Sequence, residues 1–296
     1  MRVVSLLPSA TEILHAVGAA DQVVGVTFEC DSPSSARRDA TVVSTSNLPT
    51  GLTPAEIDRA VRTRIAAGED LYRLDRAALS DLDADLVVTQ DLCAVCAVDV
   101  SEVRDALDFL QCRADVLTTD PHTLDEVWAS IEAIGEAVSQ QEAAAALARS
   151  LRERMTRVGK LVAGRDAVRC LVLEWSDPPF APGHWVPEMV SVAGGHSVLG
   201  EAGVKSRATS WRSVAAANPD VIVVAPCGYA LPESTHIAQD LLLTNNLPDR
   251  CEVWAVDANA SFARPGPRLA DGVEALARIM HPDLGAPDAS LATRLR

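Results

Sequence analysis

Cys93 and Cys96 form a Cys-x-x-Cys pair in the segment TQDLCAVCAVD, directly after an apolar run that is typical of a buried strand. Such a pair suits thiol redox chemistry or a soft metal ion such as zinc. A redox pair needs a helix N-terminus at its first cysteine, whereas the next helical pattern begins after Cys96. A structural zinc needs further ligands, and Cys30 and Cys227 follow other apolar runs. Metal ligation by these cysteines, lining of a ligand pocket and plain packing all remain open here.

Most other candidate residues share one location, the stretch just after a predicted strand. Ligands of open parallel sheets bind beyond the carboxyl ends of the strands, so we expect these side chains to line one ligand site. The predicted ligand-binding residues are Phe28, Glu29, Cys30, Gln90, Cys93, Cys96, Glu174, Trp175, Phe180, His184, Trp185, Cys227, Arg264 and Arg268.

The aromatic and basic members of this set suit a small ligand. Trp175, Phe180 and Trp185 lie in a segment rich in Gly and Pro, which favours a loop whose rings either wall a ligand or pack in the core. Arg264 and Arg268 flank the sequence PGP. An arginine there can hold a carboxylate, an amide or a phosphate of a ligand, or it can cap a neighbouring helix.

Acid–base chemistry has weaker support. Glu29 and Glu174 could act as acid and base if the fold paired them across a cleft. His184 lies near a helix start, where it either bonds to the backbone or serves the ligand. The sequence shows no nucleophile triad, no P-loop and no glycine-rich dinucleotide fingerprint. Catalytic residues therefore stay unknown, and a binding protein is favoured over an enzyme.

Short apolar runs that alternate with helical patterns must position these residues. The runs consist of Val, Leu and Ile without polar alternation, as in strands that are buried on both faces of a parallel sheet. This alternation predicts an α/β fold. The predicted strands cover residues 2–7, 23–27, 86–89, 115–118, 168–174, 221–225 and 252–257.

A long helix divides the chain. A run rich in Ala, Leu, Arg and Glu starts at a capping-box sequence at 139–142 and ends before Gly164, and no Gly/Ser linker occurs. We predict two Rossmann-like lobes with parallel sheets, residues 1–138 and 166–296, joined by one rigid helix at 139–165. The segments LSDLDADLVVTQDLC and VAAANPDVIVVAPC indicate a weak internal repeat of the two lobes.

Composition limits the partners and the location. A net charge of −15 and a pI of about 4.8 argue against nucleic acid and anionic membrane as partners. No apolar run approaches the roughly 20 residues that span a bilayer. The N-terminus lacks a signal-peptide pattern, and the seven cysteines, an odd number, suit a reducing compartment. We predict a cytoplasmic protein; the alternative is an exported protein whose leader has been removed.

The order of several motifs resembles the cobalamin- and iron-chelate-binding proteins of ABC importers, the class III periplasmic-binding-protein type with a helical backbone. The motifs are RVVSLLPSATEILHAVGAADQVVGVT, LDADLVV, DPPF, VAGG, NPDVIVV and RPGPR, and they are spread over nearly the whole chain. The resemblance implies two lobes on a rigid helix, with cobalamin or another metal chelate as ligand. It also implies a small-molecule ligand and an importer permease as partners.

Some positions depart from that family's pattern. Aromatic side chains wall the corrin ring in the cobalamin-binding members, and this chain has Glu29, Ser46 and Gln90 at three such positions. Phe180 and Arg268 match positions that contact the ligand. The chain also carries an insertion-like helical pattern at residues 53–72.

The family's docking acids are matched on one lobe alone. Each lobe of a family member presents an acidic residue to the permease. Asp75 matches the first, whereas the second region offers Arg212, which argues against docking through both lobes. The leading hypothesis is a substrate-binding-protein-like protein that holds cobalamin or a metal chelate in the cleft between its lobes. The alternative is a cytosolic enzyme or chelatase-like metal-handling protein that uses a Cys, Glu and His cluster in the same cleft.

Overall fold

Helices alternate with strands along the chain, as the apolar runs predict. The structure, a computed structural model, describes residues 1–90, 114–244 and 246–296. Short 3-10 helices occur at Ala20–Gln22 and Pro282–Leu284. The α-helices are α1 (Pro8–Ala16), α2 (Ala36–Asp39), α3 (Pro54–Ala67), α4 (Arg76–Asp81), α5 (Leu124–Ala137), α6 (Gln141–Val162), α7 (Val186–Val192), α8 (Trp211–Ala217), α9 (Leu231–Leu243), α10 (Ala258–Ser261) and α11 (Leu269–Met280).

All seven predicted strands are present, each within two residues of its predicted ends. Several short strands were not predicted, because two or three residues give too little pattern to recognise. The strands are β1 (Val3–Ser5), β2 (Val23–Val26), β3 (Thr41–Val42), β4 (Ser44–Ser46), β5 (Tyr72–Leu74), β6 (Leu86–Gln90), β7 (Asp115–Thr119), β8 (Val168–Leu173), β9 (Trp175–Ser176), β10 (Pro179–Ala181), β11 (Gly195–Ser197), β12 (Arg207–Ala208), β13 (Val221–Val224), β14 (Glu252–Val256) and β15 (Ala292–Arg294).

The chain forms two compact units. The first comprises Met1–Pro121 and Glu126–Arg149, and the second comprises His122–Asp125 and Ser150–Arg296. Helix α6, with 22 residues and a length of about 33 Å, belongs in part to each unit. The predicted domain limits set this helix apart as a connector between two lobes, and they stay a prediction.

Each unit contains a mainly parallel sheet. In the first unit the strand order is β3-β2-β1-β6-β7, and neighbouring strands run parallel. In the second unit the order is β11-β8-β13-β14-β15, with β15 antiparallel to its neighbour. Every residue of β1, β6 and β13 is buried, which explains why these strands lack polar alternation. The α/β fold with parallel sheets is therefore confirmed.

The internal repeat is visible in the hydrogen bonds at the amino ends of the strands. The backbone N–H of Arg2 donates to the Asp85 carboxylate at 2.7 Å, and the Asp85 N–H donates to the Arg2 carbonyl at 2.9 Å. In the second unit Arg169 and Asp220 make the same two bonds at 3.0 and 2.8 Å. Asp85 directly precedes β6, and Asp220 directly precedes β13. The same two hydrogen bonds therefore set the start of the β1–β6 pair in the first unit and of the β8–β13 pair in the second.

An excursion leaves the first sheet after β3. Strands β4 and β5 form a two-stranded antiparallel ribbon, and α3 lies between them in the chain. A capping box starts α3: the Thr53 N–H donates to the Glu56 carboxylate at 2.8 Å, and the Glu56 N–H donates to the Thr53 hydroxyl at 3.4 Å. Gly68 ends the helix in the left-handed conformation, with φ of 70°. The insertion-like helical pattern at residues 53–72 is thus a helix that ends at Ala67, five residues earlier than predicted, and Tyr72 belongs to β5.

Candidate functional site

Aromatic side chains meet at the carboxyl edge of the second unit's sheet. Strands β9 and β10 follow β8 and pair antiparallel, with Trp175 opposite Phe180. Tyr229 follows β13, and its ring centroid lies 5.8 Å from that of Trp175 with 43° between the planes. All three residues are half-buried. This edge therefore presents aromatic surface, which the predicted set anticipated for Trp175 and Phe180.

Hydrogen bonds join the loops of this edge in series. The Cys227 N–H donates to the Glu174 carbonyl at 3.2 Å, which links the loops after β13 and β8. The Asn259 N–H donates to the Tyr229 carbonyl at 3.2 Å, which adds the segment after β14. The Arg268 guanidinium donates to the Asn259 carbonyl at 3.5 Å from the start of α11. Loops that are far apart in sequence thus lie side by side, because parallel strands end on one edge.

Glu174 carries an unusual carboxyl group. The Gly183 N–H donates to its Oε1 at 3.1 Å, and the Ser206 side chain makes a further hydrogen bond. The residue keeps some exposed surface, whereas protein atoms surround its carboxyl group. Loss of hydration raises the pKa of Glu174 from 4.5 to about 7, and the two hydrogen bonds offset only part of this. The group therefore changes protonation near neutral pH.

His184 and Trp185 lie directly before α7, beside this edge. Trp185 is 3% exposed, and its indole N–H donates to the Phe262 carbonyl at 2.8 Å. His184 adopts a positive φ of 50°, and its N–H donates to the Val204 carbonyl at 2.7 Å. Because Trp185 packs inside the unit rather than on the exposed edge, the structure corrects its predicted place, and we leave it out of the proposed site.

Arg264 and Arg268 lie on either side of the PGP turn that precedes α11. Both are half-buried. Arg268 is the residue just before the helix and contacts Asn259, so its head group lies at the aromatic edge. The structure thus places the predicted residues Glu174, Trp175, Cys227 and Arg268 together in the second unit.

Cys30 of the first unit is a core residue. It is 0% exposed. The Thr11 hydroxyl donates to its sulfur at 3.0 Å, and the Thr27 hydroxyl lies 3.2 Å from it. These contacts tie the loop after β2 to α1. Since the sulfur has no exposed surface, the structure corrects the expectation that Cys30 faces a ligand.

The remaining predicted residues of the first unit lie after β2 and at the end of β6. Phe28 is half-buried, and its ring centroid lies 6.0 Å from that of Tyr72 with 39° between the planes. Glu29 is half-buried in the same turn, and its N–H donates to the Thr27 hydroxyl at 3.3 Å. Gln90 ends β6 and is 5% exposed. Phe28, Glu29 and Gln90 all remain candidates for ligand contact.

The predicted soft-metal site gains no support. Cys93 and Cys96 lie outside the described residues. Cys30 is buried, and Cys227 is exposed at the edge of the other unit. Across residues 1–90, 114–244 and 246–296, no group of three or more His, Cys, Asp and Glu side chains could hold a metal ion. Zinc ligation by these cysteines is therefore not supported.

Three residues at the two edges were missing from the predicted set. Tyr229 and Asn259 follow predicted strands, so the strand-end rule does select them, although the predicted ligand-binding set leaves them out. Tyr72 gave no such signal, because it follows a helical insertion and begins a strand of three residues. Its position at the edge becomes evident only from the pairing of β4 with β5.

Relatives of known name match nearly the whole chain. A vitamin B12-binding protein of Vibrio cholerae is 24% identical over 276 residues, which is 92% of this chain and 86% of that protein. An uncharacterized ABC transporter substrate-binding lipoprotein of Bacillus subtilis is 25% identical over 295 residues, covering 95% of this chain and 80% of that protein.

Solved structures share the fold. The periplasmic vitamin B12 binding protein of Vibrio cholerae superposes with a TM-score of 0.67 at 21% identity, over 96% of this chain and 97% of that one. A periplasmic heme binding protein from Pseudomonas aeruginosa superposes with a TM-score of 0.73 at 17% identity, over 100% of this chain and 98% of that one. The architecture is thus that of two-lobed periplasmic binding proteins.

The predicted cytoplasmic location is wrong. A similar solved structure is named as a periplasmic binding protein, the matching family carries the same description, and one relative is named as a substrate-binding lipoprotein, which points to an exported protein. The prediction was based on the odd number of cysteines and on the N-terminal pattern. Neither feature determines where a protein of this fold is located. No helix in the described part of the chain is long and apolar enough to span a membrane.

The family assignment decides between the two functional hypotheses. The sequence profile of the periplasmic binding protein family matches residues 78–247, which is more than half of the chain. Binding of a small ligand, as in substrate-binding proteins, is confirmed, and the enzyme or chelatase-like alternative has no support. The chain belongs to the periplasmic binding protein family.

Proposed function

We propose that this protein captures a flat metal chelate, of the cobalamin or heme type, for an ABC importer. Support comes from relatives that are named for vitamin B12, for heme and for ABC transport. Both chelates hold their metal in a broad ring system with polar groups at its rim. A site for such a ligand needs aromatic side chains and a few well-placed polar groups.

The observation that carries the proposal is the Trp175–Tyr229 pair at the carboxyl edge of the second sheet. Their centroids lie 5.8 Å apart, and both rings keep exposed surface. Binding is favoured when a flat apolar ligand covers the exposed part of an aromatic ring, because that apolar surface is then removed from water. Arg268 is linked to this pair by Asn259, which hydrogen-bonds to both Arg268 and Tyr229. The Arg268 guanidinium can donate to carboxylates or amides at the ligand's rim.

The proposed contacts extend to both units. Within the second unit they come from the loops after β8, β13 and β14, and within the first from the turn after β2 and the end of β6. Cys93 and Cys96 stay predicted contacts. The proposed ligand-contact residues of the described chain are Phe28, Glu29, Gln90, Glu174, Trp175, Phe180, His184, Cys227, Tyr229, Arg264 and Arg268.

Replacement of Trp175 by leucine is expected to weaken binding. Loss of one central aromatic contact costs about 2 kcal/mol, which corresponds to roughly 30-fold in Kd. We would titrate the purified protein with cyanocobalamin and, separately, with hemin, and follow the absorbance of the chelate. The chelate that the wild type binds should bind the variant more weakly.

Trp254→Leu is the matched control. This tryptophan is also half-buried in the second unit, but it lies on β14, and its indole N–H donates to Glu252 at 3.2 Å. The control should bind the chelate as the wild type does. If the wild type binds neither chelate at up to about 100 μM, or if Trp175→Leu binds as well as Trp254→Leu, the proposal is wrong.

We further propose that the importer does not meet matching acids on the two units. Asp75 is exposed, and its carboxylate accepts the Ala78 N–H at 3.0 Å, so it also caps α4. The corresponding helix of the second unit, α8, is capped by Ser210, whose hydroxyl accepts the Ser213 N–H at 3.1 Å. Arg212 is exposed on that helix.

Arg212→Glu is therefore expected to leave ligand uptake unchanged. The variant would be compared with the wild type in cells that depend on this protein for uptake of the chelate. Ligand binding by both purified proteins provides the control for folding. Uptake that rises several-fold with Arg212→Glu would show that an acid at this place engages the permease, contrary to the proposal.

A further inference from the structure

Glu174 is fixed by its backbone to the aromatic edge of the second unit. It is the first residue after β8, and Trp175 of β9 follows it directly. Its N–H donates to the Phe180 carbonyl at 3.2 Å, and its carbonyl accepts the Cys227 N–H at 3.2 Å. A ligand that covers the Trp175 ring therefore also changes the surroundings of Glu174.

The carboxyl group of Glu174 joins two segments that border this edge. The Gly183 N–H donates to its Oε1 at 3.1 Å, and the Ser206 side chain makes a second hydrogen bond. The same two segments also bond to each other, because the His184 N–H donates to the Val204 carbonyl at 2.7 Å. The carboxyl group therefore has a defined place in the structure rather than a choice of exposed positions.

Loss of hydration dominates the charge state of Glu174. Its pKa rises from 4.5 to about 7, because burial disfavours the carboxylate more than the two hydrogen bonds favour it. At neutral pH the group is therefore divided between its protonated and ionised forms. Other titratable or charged side chains lie on the neighbouring elements, so a test must remove the titration of Glu174 alone. They are Asp177, His184, Lys205, Arg207, Cys227, Tyr229, Arg264 and Arg268.

A chelate that binds at this edge removes water from it. Glu174 retains some exposed surface, as do Trp175 and Tyr229. When a flat ring system covers these residues, the ionised carboxylate loses hydration once more, whereas the neutral carboxyl group loses much less. Ligand binding therefore favours the protonated form. Because linkage is reciprocal, protonation must strengthen ligand binding by the same factor.

We infer that the protein couples binding of its chelate to protonation of Glu174, so that the chelate is held more tightly in mildly acidic than in mildly alkaline surroundings. The inference rests on the proposed function, because it needs a ligand that covers the aromatic edge. The proton comes from the solvent and returns to it, and no other bond forms or breaks. A ligand that donated hydrogen bonds to the carboxylate would produce the opposite pH dependence.

The test measures the Kd of cyanocobalamin and of hemin for the full-length protein by absorbance titration, in steps from about pH 5.5 to about pH 8.5. The chelate that the wild type binds should bind roughly tenfold more weakly at the upper pH, because the affinity falls as the pH rises through the pKa of the free protein. Glu174→Gln cannot ionise, so it should lose this tenfold change.

Comparison of Glu174→Gln with the wild type cancels any titration of the chelate itself, because both proteins bind the same chelate. Glu201→Gln, at an exposed acid of the segment that leads to Ser206, is the matched control and should keep the pH dependence of the wild type. Ser206→Ala removes a hydrogen bond that favours the ionised form of Glu174. The pH at which the affinity begins to fall should therefore be higher in this variant.

Circular dichroism of all variants accompanies the titrations and reports whether each is folded. A folded Glu174→Gln with the same pH dependence as the wild type overturns the inference and leaves the proposed function standing. Tighter binding by the wild type at the upper pH also overturns it. If Glu174→Gln does not fold, Ser206→Ala decides, and an affinity that begins to fall at the same or a lower pH overturns the inference. A wild type that binds neither chelate refutes the proposed function and the inference with it.

Discussion

Gly183→Ala is expected to destabilise the protein by about 3 kcal/mol or more and to weaken ligand binding. A Cβ atom at this position would lie 2.6 Å from the carbonyl carbon of Lys205, and closer still to the Ser206 nitrogen and the Val204 oxygen. All of these are backbone atoms, so the clash cannot be relieved by a change of rotamer. The segments around Gly183 and Ser206 must separate, and both of them hold the Glu174 carboxylate.

Gly159→Ala is the control for this prediction. Gly159 lies in α6, and among the described residues no atom outside its own helical turn comes within 4 Å of the place that an alanine methyl group would take. Alanine should therefore raise the free energy of unfolding by about 0.5–1 kcal/mol through helix propensity. Urea unfolding followed by circular dichroism gives both values. Equal midpoints for Gly183→Ala and the wild type would show that the two segments separate at no cost.

Glu174→Gln is expected to be more stable, relative to the wild type, at pH 8 than at pH 5. The pKa of Glu174 is raised in the folded state, from 4.5 to about 7, because its carboxyl group is poorly hydrated. The folded state therefore binds a proton more tightly than the unfolded state does. The stabilisation that Glu174 provides through this proton is complete below about pH 4.5 and is lost as the pH rises through about 7.

Glutamine does not ionise, so the variant avoids this loss. The free energy of unfolding of Glu174→Gln, relative to the wild type, should increase by about 2–3 kcal/mol between pH 5 and pH 8. Urea titrations at the two pH values measure it. Glu201→Gln, at an exposed acid of the same unit, is the control and should show a much smaller change. A pH-independent difference for Glu174→Gln would mean that its carboxyl group is well hydrated.

The sheets could be predicted because their strands are buried on both faces. Runs such as those at β6 and β13 have no polar alternation, so the pattern itself marks them as parallel strands. The strand-end rule then located Glu174, Trp175 and Cys227 on one edge. The same rule could not tell that Cys30 turns inward, because burial within a loop depends on what packs above it.

Short strands and insertions were harder to predict. The ribbon of β4 and β5 has three residues in each strand, too few for a periodic pattern. Its pairing is long-range, since α3 separates the two strands in the chain. Tyr72 therefore became a site candidate only when the register with Ser46 was known.

The amino-acid sequence by itself determined the α/β class, the parallel sheets, the long helix and the family, because apolar periodicity and motif order are local properties of the chain. The tertiary structure decided which side chains reach the edges of the sheets. It placed Trp185 inside, where its indole donates to Phe262, and paired Trp175 with Tyr229 on the surface. It also raised the pKa of Glu174, since hydration of a carboxyl group depends on atoms brought from distant segments.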